Sequence, residues 1–261
     1  MKTMSSGSPV IDRLTGIGGL PCGHVVEIFG PSQSAKSSLA LSLVRKHQDL
    51  LPTIVDAEYK FDAAYAKKMG LDLDRTVLLQ SGDIGTILEF VKCVKPSIVI
   101  LDSVASISTL SMSDLGVFLS KISAGIPNCG IVIWINQIRS TLSGRTVEYG
   151  QKPAQFFPAI RIMLTNPHTI NDDYPRQRVT CKILNNRFAE PGEVDVEFYH
   201  GRGIWEDLEI LSLATNDGIM YTTGNWFYYK DRCLGLGRYA AAKEFGKLPI
   251  RDAIEQKVRS L

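Results

Sequence analysis

The chain has 261 residues, 44% hydrophobic and 21% charged, enough to bury the core of one large domain or of a domain with a small appendage. Lysine and arginine total 29 against 27 acidic residues, so global charge gives no case for a nucleic-acid partner, and any such surface has to be a local patch. The five cysteines are scattered without a CxxC pair, which argues against a disulfide framework or a zinc site and predicts that most are buried apolar residues.

At the amino terminus, Met1 to Ser8 lacks the apolar core of a signal peptide, and no 18 uncharged apolar residues run together anywhere, which predicts a soluble, cytoplasmic protein. Next, Gly30 to Ser37 read Gly-Pro-Ser-Gln-Ser-Ala-Lys-Ser between an apolar run, Val25 to Phe29, and a helix-forming run, Leu39 to Val44. This is a near-complete phosphate-binding loop. Backbone N–H groups of a small-residue turn and the positive end of a helix surround phosphate oxygens, Lys36 neutralises charge and Ser37 can ligate magnesium. The predicted binding set is Gly30, Pro31, Ser32, Gln33, Ser34, Ala35, Lys36, Ser37 and Ser38. Ala35 stands where such loops usually place a second glycine, and would cost about 1 kcal/mol if positive φ is required there.

Short β-branched runs at Thr53 to Val55, Val77 to Leu79, Ile98 to Leu101 and Ile131 to Ile135 read as strands buried on both faces. Between them Lys36 to Leu50, Phe61 to Met69, Ile84 to Val94 and Asp114 to Ser123 carry apolar residues at helical spacing. The alternation predicts an α/β fold with a mostly parallel sheet. Ile160 to Leu164, Val179 to Leu184 and Val194 to Tyr199 follow with turn-like spacers and no helix, predicting an antiparallel extension. Helical runs at Leu208 to Ala214, Tyr239 to Phe245 and Arg251 to Val258, with an aromatic patch at Trp226 to Tyr229, predict a small C-terminal lobe. The expected division is a core of residues 1–203 and a lobe of residues 204–261.

Two acidic positions decide the chemistry. Asp102 ends the apolar run Ile98 to Leu101, where a carboxylate at the C-terminal end of a strand holds magnesium through water. Alone, Asp102-Ser103 would read as a strand-end turn or helix cap; downstream of a phosphate loop the metal role is favoured. Glu58 ends the next strand after the loop and is the candidate catalytic base, able to orient and deprotonate water, against the alternative of a surface glutamate. No Asn-Lys-x-Asp motif is present, so adenine is favoured over guanine.

His24 to Pro31, Asp56-Ala57-Glu58, Ile100 to Ser103 and Ile135 to Arg139 stand in the order and approximate spacing of bacterial RecA recombinases. The chain resembles that family from about Gly16 to its end, including Tyr199 to Ile204 and Gly224 to Tyr229. The resemblance implies a P-loop RecA-like core and an ATPase using ATP and Mg2+, stimulated by single-stranded DNA, that promotes pairing and strand exchange with double-stranded DNA. It implies that Glu58 is the catalytic glutamate, that Asp62 and Tyr65 hydrogen-bond and stack on adenine, and that Tyr199 and Gly201 join the nucleotide-binding set. Gln137 matches the glutamine that senses γ-phosphate at the root of the second DNA-binding loop.

From Arg139 to Arg161 the cations Arg139, Arg145, Lys152 and Arg161 face one acid, Glu148, with glycines at 144 and 150. Such a loop suits a single strand. Arg139, Arg145 and Lys152 would meet phosphates and Tyr149 would stack on bases, worth about 1–3 kcal/mol per base, while Phe156 and Phe157 are expected in the core. For Arg145 and Lys152 the plainer alternative is a solvated loop charge.

The chain also departs from the family. The interval from Ser103 to Ile131 is shorter than typical, and Ser106 to Ser113 is uncharged where a first DNA-binding loop is expected. The helix and strand with which a RecA subunit grips its neighbour are missing ahead of the matching region, which bears on self-association into filaments. Of two lysines that reach a neighbour's ATP, one position is Asn185 and the other Arg187, leaving Arg187 as the single cation for that catalytic role. Two functions follow: a compact recombinase, or an accessory ATP-binding factor that partners a recombinase or polymerase. A P-loop small-molecule kinase is disfavoured because the interval from Asp102 to Gln137 offers a single cation, Lys121, and no arginine-rich lid.

Overall fold

The computed structural model describes residues 1–107, 112–140, 146–148 and 157–260. The chain opens with β1 (Thr3–Met4), α1 (Pro9–Leu14) and β2 (Leu20–Pro21). The predicted alternation follows as β3 (Val25–Gly30), α2 (Lys36–Lys46), β4 (Thr53–Asp56), α3 (Ala63–Lys68), β5 (Val77–Leu79), α4 (Ile84–Val94), β6 (Ile98–Asp102), α5 (Met112–Gly125) and β7 (Ile131–Ser140). Four antiparallel-pairing elements come next: β8 (Thr146–Glu148), β9 (Ile160–Ile170), β10 (Arg176–Asn186) and β11 (Gly192–Tyr199), closed by β12 (Gly203–Ile204). The tail is α6 (Glu206–Asn216), β13 (Tyr221–Thr223), β14 (Trp226–Tyr229), β15 (Arg232–Leu236), α7 (Gly237–Phe245) and α8 (Arg251–Ser260).

The main sheet has ten strands in the order β12-β11-β10-β9-β3-β7-β6-β4-β5, with β8 paired to β7. From β9 to β5 every neighbouring pair along this order is parallel, and β9 to β12 are antiparallel, as the sequence pattern predicts. Period two explains why the central runs of β6 and β7 are apolar throughout, whereas β5, expected to be buried on both faces, is the edge strand and leaves Leu78 exposed. Ile98, Ile100, Ile131 and Ile133 join the core on one face, while Val99, Leu101, Val132 and Trp134 join the core on the other. One face is covered by Leu39, Leu43 and Val44 of α2, the other by Ile87 and Val91 of α4 and Leu119 and Ile122 of α5.

Helix ends follow local chemistry. The expected helix from Lys36 to Leu50 stops at Lys46, and Gln48–Leu50 forms a separate 3-10 turn. α3 starts at Ala63 rather than Phe61 because Asp62 caps it, accepting a hydrogen bond from Tyr65 N at 2.9 Å. α4 begins and ends where its periodicity predicts, capped by Asp83. The cysteines differ from expectation: Cys22 and Cys181 are buried, but Cys93 and Cys233 are exposed and Cys129 is half-buried. Cys93 lies near the end of the amphipathic α4 and Cys233 on the small tail sheet, beside the buried Leu234.

Residues after Tyr199 build a third core around Trp205, Leu211, Phe245 and Val258. The amino-terminal segment packs on its own chain. Thr3 pairs with Pro21 and Met4 with Leu20, while buried Asp12 accepts from Ser5 Oγ and Ser6 N at 2.7 Å and pairs with Arg259 of α8 at 3.2 Å. Arg13 grips both carboxylate oxygens of Asp217 at 2.8 Å, tying α1 to the end of α6.

Glu209 of α6 completes this junction, accepting from Ser8 Oγ at 2.7 Å and Val10 N at 3.2 Å. Burial pushes its carboxyl up to about 8 from 4.5, with Asp12 and Glu206 adding to the rise against the two hydrogen bonds. The folded protein therefore keeps a proton that the unfolded chain releases, and this contribution to stability falls as pH rises from about 4.5 to about 8. Glu209→Gln, which keeps an acceptor and cannot ionise, is expected to melt at least about 3 °C above the parent at pH 8.5 and close to it at pH 5 by calorimetry. Equal melting curves at both pH values would refute a buried neutral carboxyl.

Candidate active site

The C-terminal ends of β3, β4, β6 and β7 open onto a cavity of about 390 Å³. The loop between β3 and α2 forms its floor. A Cβ at Gly30 would fall 2.2 Å from Leu164 O and 2.8 Å from Ser34 Oγ, so only glycine lets the loop turn against β9. Gln33 and Ala35 both hold left-handed backbone, at φ 59° and 63°, and Ala35 immediately precedes α2. The loop thus does require positive φ at Ala35, and the chain accepts about 1 kcal/mol of strain to make the turn.

Lys36 is 8% exposed and donates from Nζ to Pro31 O at 2.6 Å, while Ser37 Oγ donates to Asp102 Oδ2 at 2.6 Å. Burial pulls the Lys36 ammonium below its usual range, against the charges of Asp102 and Glu58. The same burial, with help from Glu58 and Asp56, raises the Asp102 carboxyl despite the Ser37 hydrogen bond. Buried Lys36 and half-buried Asp102 are both short of counter-charge. Phosphate oxygens beside Lys36 and a divalent cation beside Ser37 and Asp102 would supply it, so the donor set fits magnesium triphosphate. Among the described residues no cluster of three or more His, Cys, Asp or Glu could hold a metal alone, so the remaining ligands would be water and phosphate.

Glu58 is held on both oxygens. Oε1 accepts from Ser103 Oγ at 2.5 Å and Gln137 Nε2 at 3.2 Å, and Oε2 accepts from Lys60 Nζ at 2.8 Å. Burial raises its pKa, but the bonds from Lys60 and Ser103 and the charge of Lys60 outweigh it and keep the carboxyl below the ordinary range. It is ionised, as a general base must be. Asp56 braces the segment, accepting from Lys60 N at 3.1 Å, Phe61 N at 2.9 Å and Gln80 Nε2 at 3.0 Å. Asp62 and Tyr65 line the same cavity, with Tyr65 OH 3.2 Å from Ser38 Oγ. The predicted residues from Ser32 to Ser38, with Glu58, Asp62, Tyr65, Asp102 and Gln137, therefore meet in one place.

A family model described as the RecA N-terminal domain matches residues 1–205. The chain belongs to the RecA family. This RecA-family chain is 31% identical to Protein RecA of Haemophilus ducreyi over 100% of its own length and 78% of the relative. It is 31% identical to Protein RecA of Paracoccus denitrificans, with 100% and 81% covered, and 33% identical to that of a Caulobacter species, with 99% and 81% covered.

Other positions expected from the RecA resemblance lie elsewhere. Tyr199 and Gly201 do not line the cavity. The Tyr199 ring packs edge-on against Trp205 at 5.6 Å and its hydroxyl donates to Glu197 at 2.6 Å, so its side chain is committed to the third core. Gly201, at φ 69°, makes the turn after β11. Arg187 also lies outside the cavity, its guanidinium donating to Phe157 O at 3.4 Å.

Arg139 continues β7 two residues past Gln137 and pairs through its backbone with Val147 of β8. Arg145, Tyr149 and Lys152 lie outside the described residues, as does Phe156, while Phe157 packs against the second core. Arg161 is not a cation available to a DNA loop. It is 7% exposed, donates from Nε to Glu27 Oε2 at 2.5 Å and lies 4.5 Å over the Phe29 ring. Sequence reasoning also missed Ser103 and Lys60 as partners of Glu58; adjacency to Asp102 and Glu58 was the only signal for either.

Proposed function

We propose that this member of the RecA family is an ATP-dependent recombinase of homologous recombination and repair, hydrolysing ATP with Mg2+ when engaged on single-stranded DNA. The loop from Ser32 to Ser38, Lys36 included, would hold the phosphates, Ser37 and Asp102 would hold magnesium, and Asp62 with Tyr65 would receive adenine. Bound magnesium would neutralise charge on the phosphate oxygens. Glu58, ionised and oriented by Ser103 and Gln137, takes the proton of the attacking water.

The observation that carries this reading is the contact between Glu58 and Gln137. Gln137 sits on β7, which runs on to Ser140 toward the cationic stretch from Arg139 to Lys152, so a single strand joins the base to the predicted DNA loop. DNA bound to that stretch would act along β7 on the Gln137 side chain that meets Glu58, giving hydrolysis a reason to depend on DNA. An accessory factor with ATP as a passive ligand has no use for this arrangement. ATPase assays at low salt should show about tenfold or greater stimulation by single-stranded DNA, weakening steeply as salt is raised. A rate that ignores DNA at low salt would overturn the recombinase reading in favour of the accessory factor.

A further inference from the structure

The cavity lining carries four carboxylates, Asp56, Glu58, Asp62 and Asp102, and two ammonium groups, Lys36 and Lys60. The two lysines are held in opposite ways. Lys36 is buried and fixed to Pro31 O, whereas the Lys60 side chain is 76% exposed and, among the described residues, its Nζ meets Glu58 Oε2. Its backbone is anchored, because Asp56, 4% exposed and itself bonded by Gln80, accepts from the N–H groups of Lys60 and Phe61. A fixed Cα with a free four-carbon stem can move its ammonium without moving the loop. Glu58 cannot follow, since Ser103 and Gln137 hold its other oxygen.

A terminal phosphate entering this cavity meets an excess of carboxylates and has more negative charge than Glu58 with which to compete for the exposed cation. Solvent-exposed ion pairs are weak and yield readily to such competition. We propose that Lys60 is an exchangeable counter-ion: it covers Oε2 of Glu58 in the nucleotide-free protein and transfers to the terminal phosphate of ATP, uncovering Oε2 for the attacking water. This rests on the reading of the cavity as an ATP site and adds a positioning residue to it. It also supplies a mobile cation to complement Lys36, which is fixed to Pro31 O.

A double-mutant cycle on nucleotide binding tests it, with equilibrium binding of ATP and ADP in the presence of Mg2+ for the parent, Glu58→Gln, Lys60→Met and the double variant. Releasing Lys60 from its partner should let Glu58→Gln tighten ATP about tenfold when Lys60 is present and about threefold or less when it is Met, with ADP nearly unchanged across all four. An equal effect of Glu58→Gln in both backgrounds, or an equal loss of ATP and ADP on Lys60→Met, overturns the exchange while leaving the ATP site standing. Failure of all four proteins, the parent included, to bind ATP overturns the site and the exchange together.

Discussion

Glu58→Gln is expected to slow ATP hydrolysis by about 10²–10⁴-fold while ATP binding persists, the range a positioned general base contributes. Glutamine preserves the volume and the acceptor that meets Ser103 Oγ and Gln137 Nε2, so the cavity keeps its shape. What it loses is the anionic oxygen. Because Lys60 and Ser103 hold the Glu58 carboxyl below its usual range, the parent is fully ionised at neutral pH, and the comparison measures the base rather than a change in protonation. Single-turnover hydrolysis with saturating ATP separates this from any binding effect. A rate within about threefold of the parent would show that Glu58 is not the base. Attention would then pass to Asp56, which also lines the cavity but whose oxygens already accept three hydrogen bonds.

Much of this site could be read in the sequence because phosphate and magnesium impose spacing within one short segment. A turn of small residues, a lysine and a hydroxyl must follow a strand and open a helix, and Asp102 must end a strand whose apolar residues announce it. The central strands of the parallel sheet were legible for a similar reason, since burial on both faces leaves apolar runs such as Ile98 to Leu101 and Ile131 to Ile135, whereas β5, expected to be buried on both faces, lies at the sheet edge with Leu78 40% exposed. Their ends were less so. β7, β9 and β10 continue past their apolar centres on backbone hydrogen bonds, which side-chain pattern does not record.

What remained hidden depends on pairings between distant strands or on local reversal of the chain. Lys60 reaches Glu58, two residues back, across Tyr59 at φ 57°, a conformation that no tyrosine advertises. Arg161 ends a stretch of sequence that also holds the cations Arg139, Arg145 and Lys152, which makes it look like part of a cationic loop. Its partner, Glu27, is 134 positions away and becomes adjacent only when β9 lies beside β3. Tyr199 shows the converse. A motif tied to the nucleotide by family resemblance packs its tyrosine into the tail core against Trp205, a contact between distant elements that the motif does not announce.

The Glu27 contact has a consequence for stability comparable in size to that of Glu58 for rate. Glu27 is 1% exposed in β3 and accepts from Arg161 Nε on β9 and, at 3.0 Å, from Asn136 Nδ2 on β7, so one carboxylate links the three strands beneath the phosphate loop. Glu27→Ala removes a carboxylate that accepts from a buried guanidinium and opens a cavity, and is expected to destabilise the protein by about 3–5 kcal/mol. At 2–4 °C per kcal/mol this lowers the melting temperature by roughly 6–20 °C. The paired substitution of Glu27 and Arg161 by methionine should recover most of that loss, because it removes the buried charge together with its partner. The same change reaches the active site by a short path. Asn136 Oδ1 accepts from Gln137 N at 2.9 Å, so freeing the Asn136 side chain loosens the residue that orients Glu58. In Glu27→Ala, DNA stimulation of hydrolysis should therefore fall more than ATP binding when both are measured well below the new melting temperature. A melting temperature lowered by less than about 2 °C would show that the sheet relaxes around the lost carboxylate and that Glu27 does not hold the strands together.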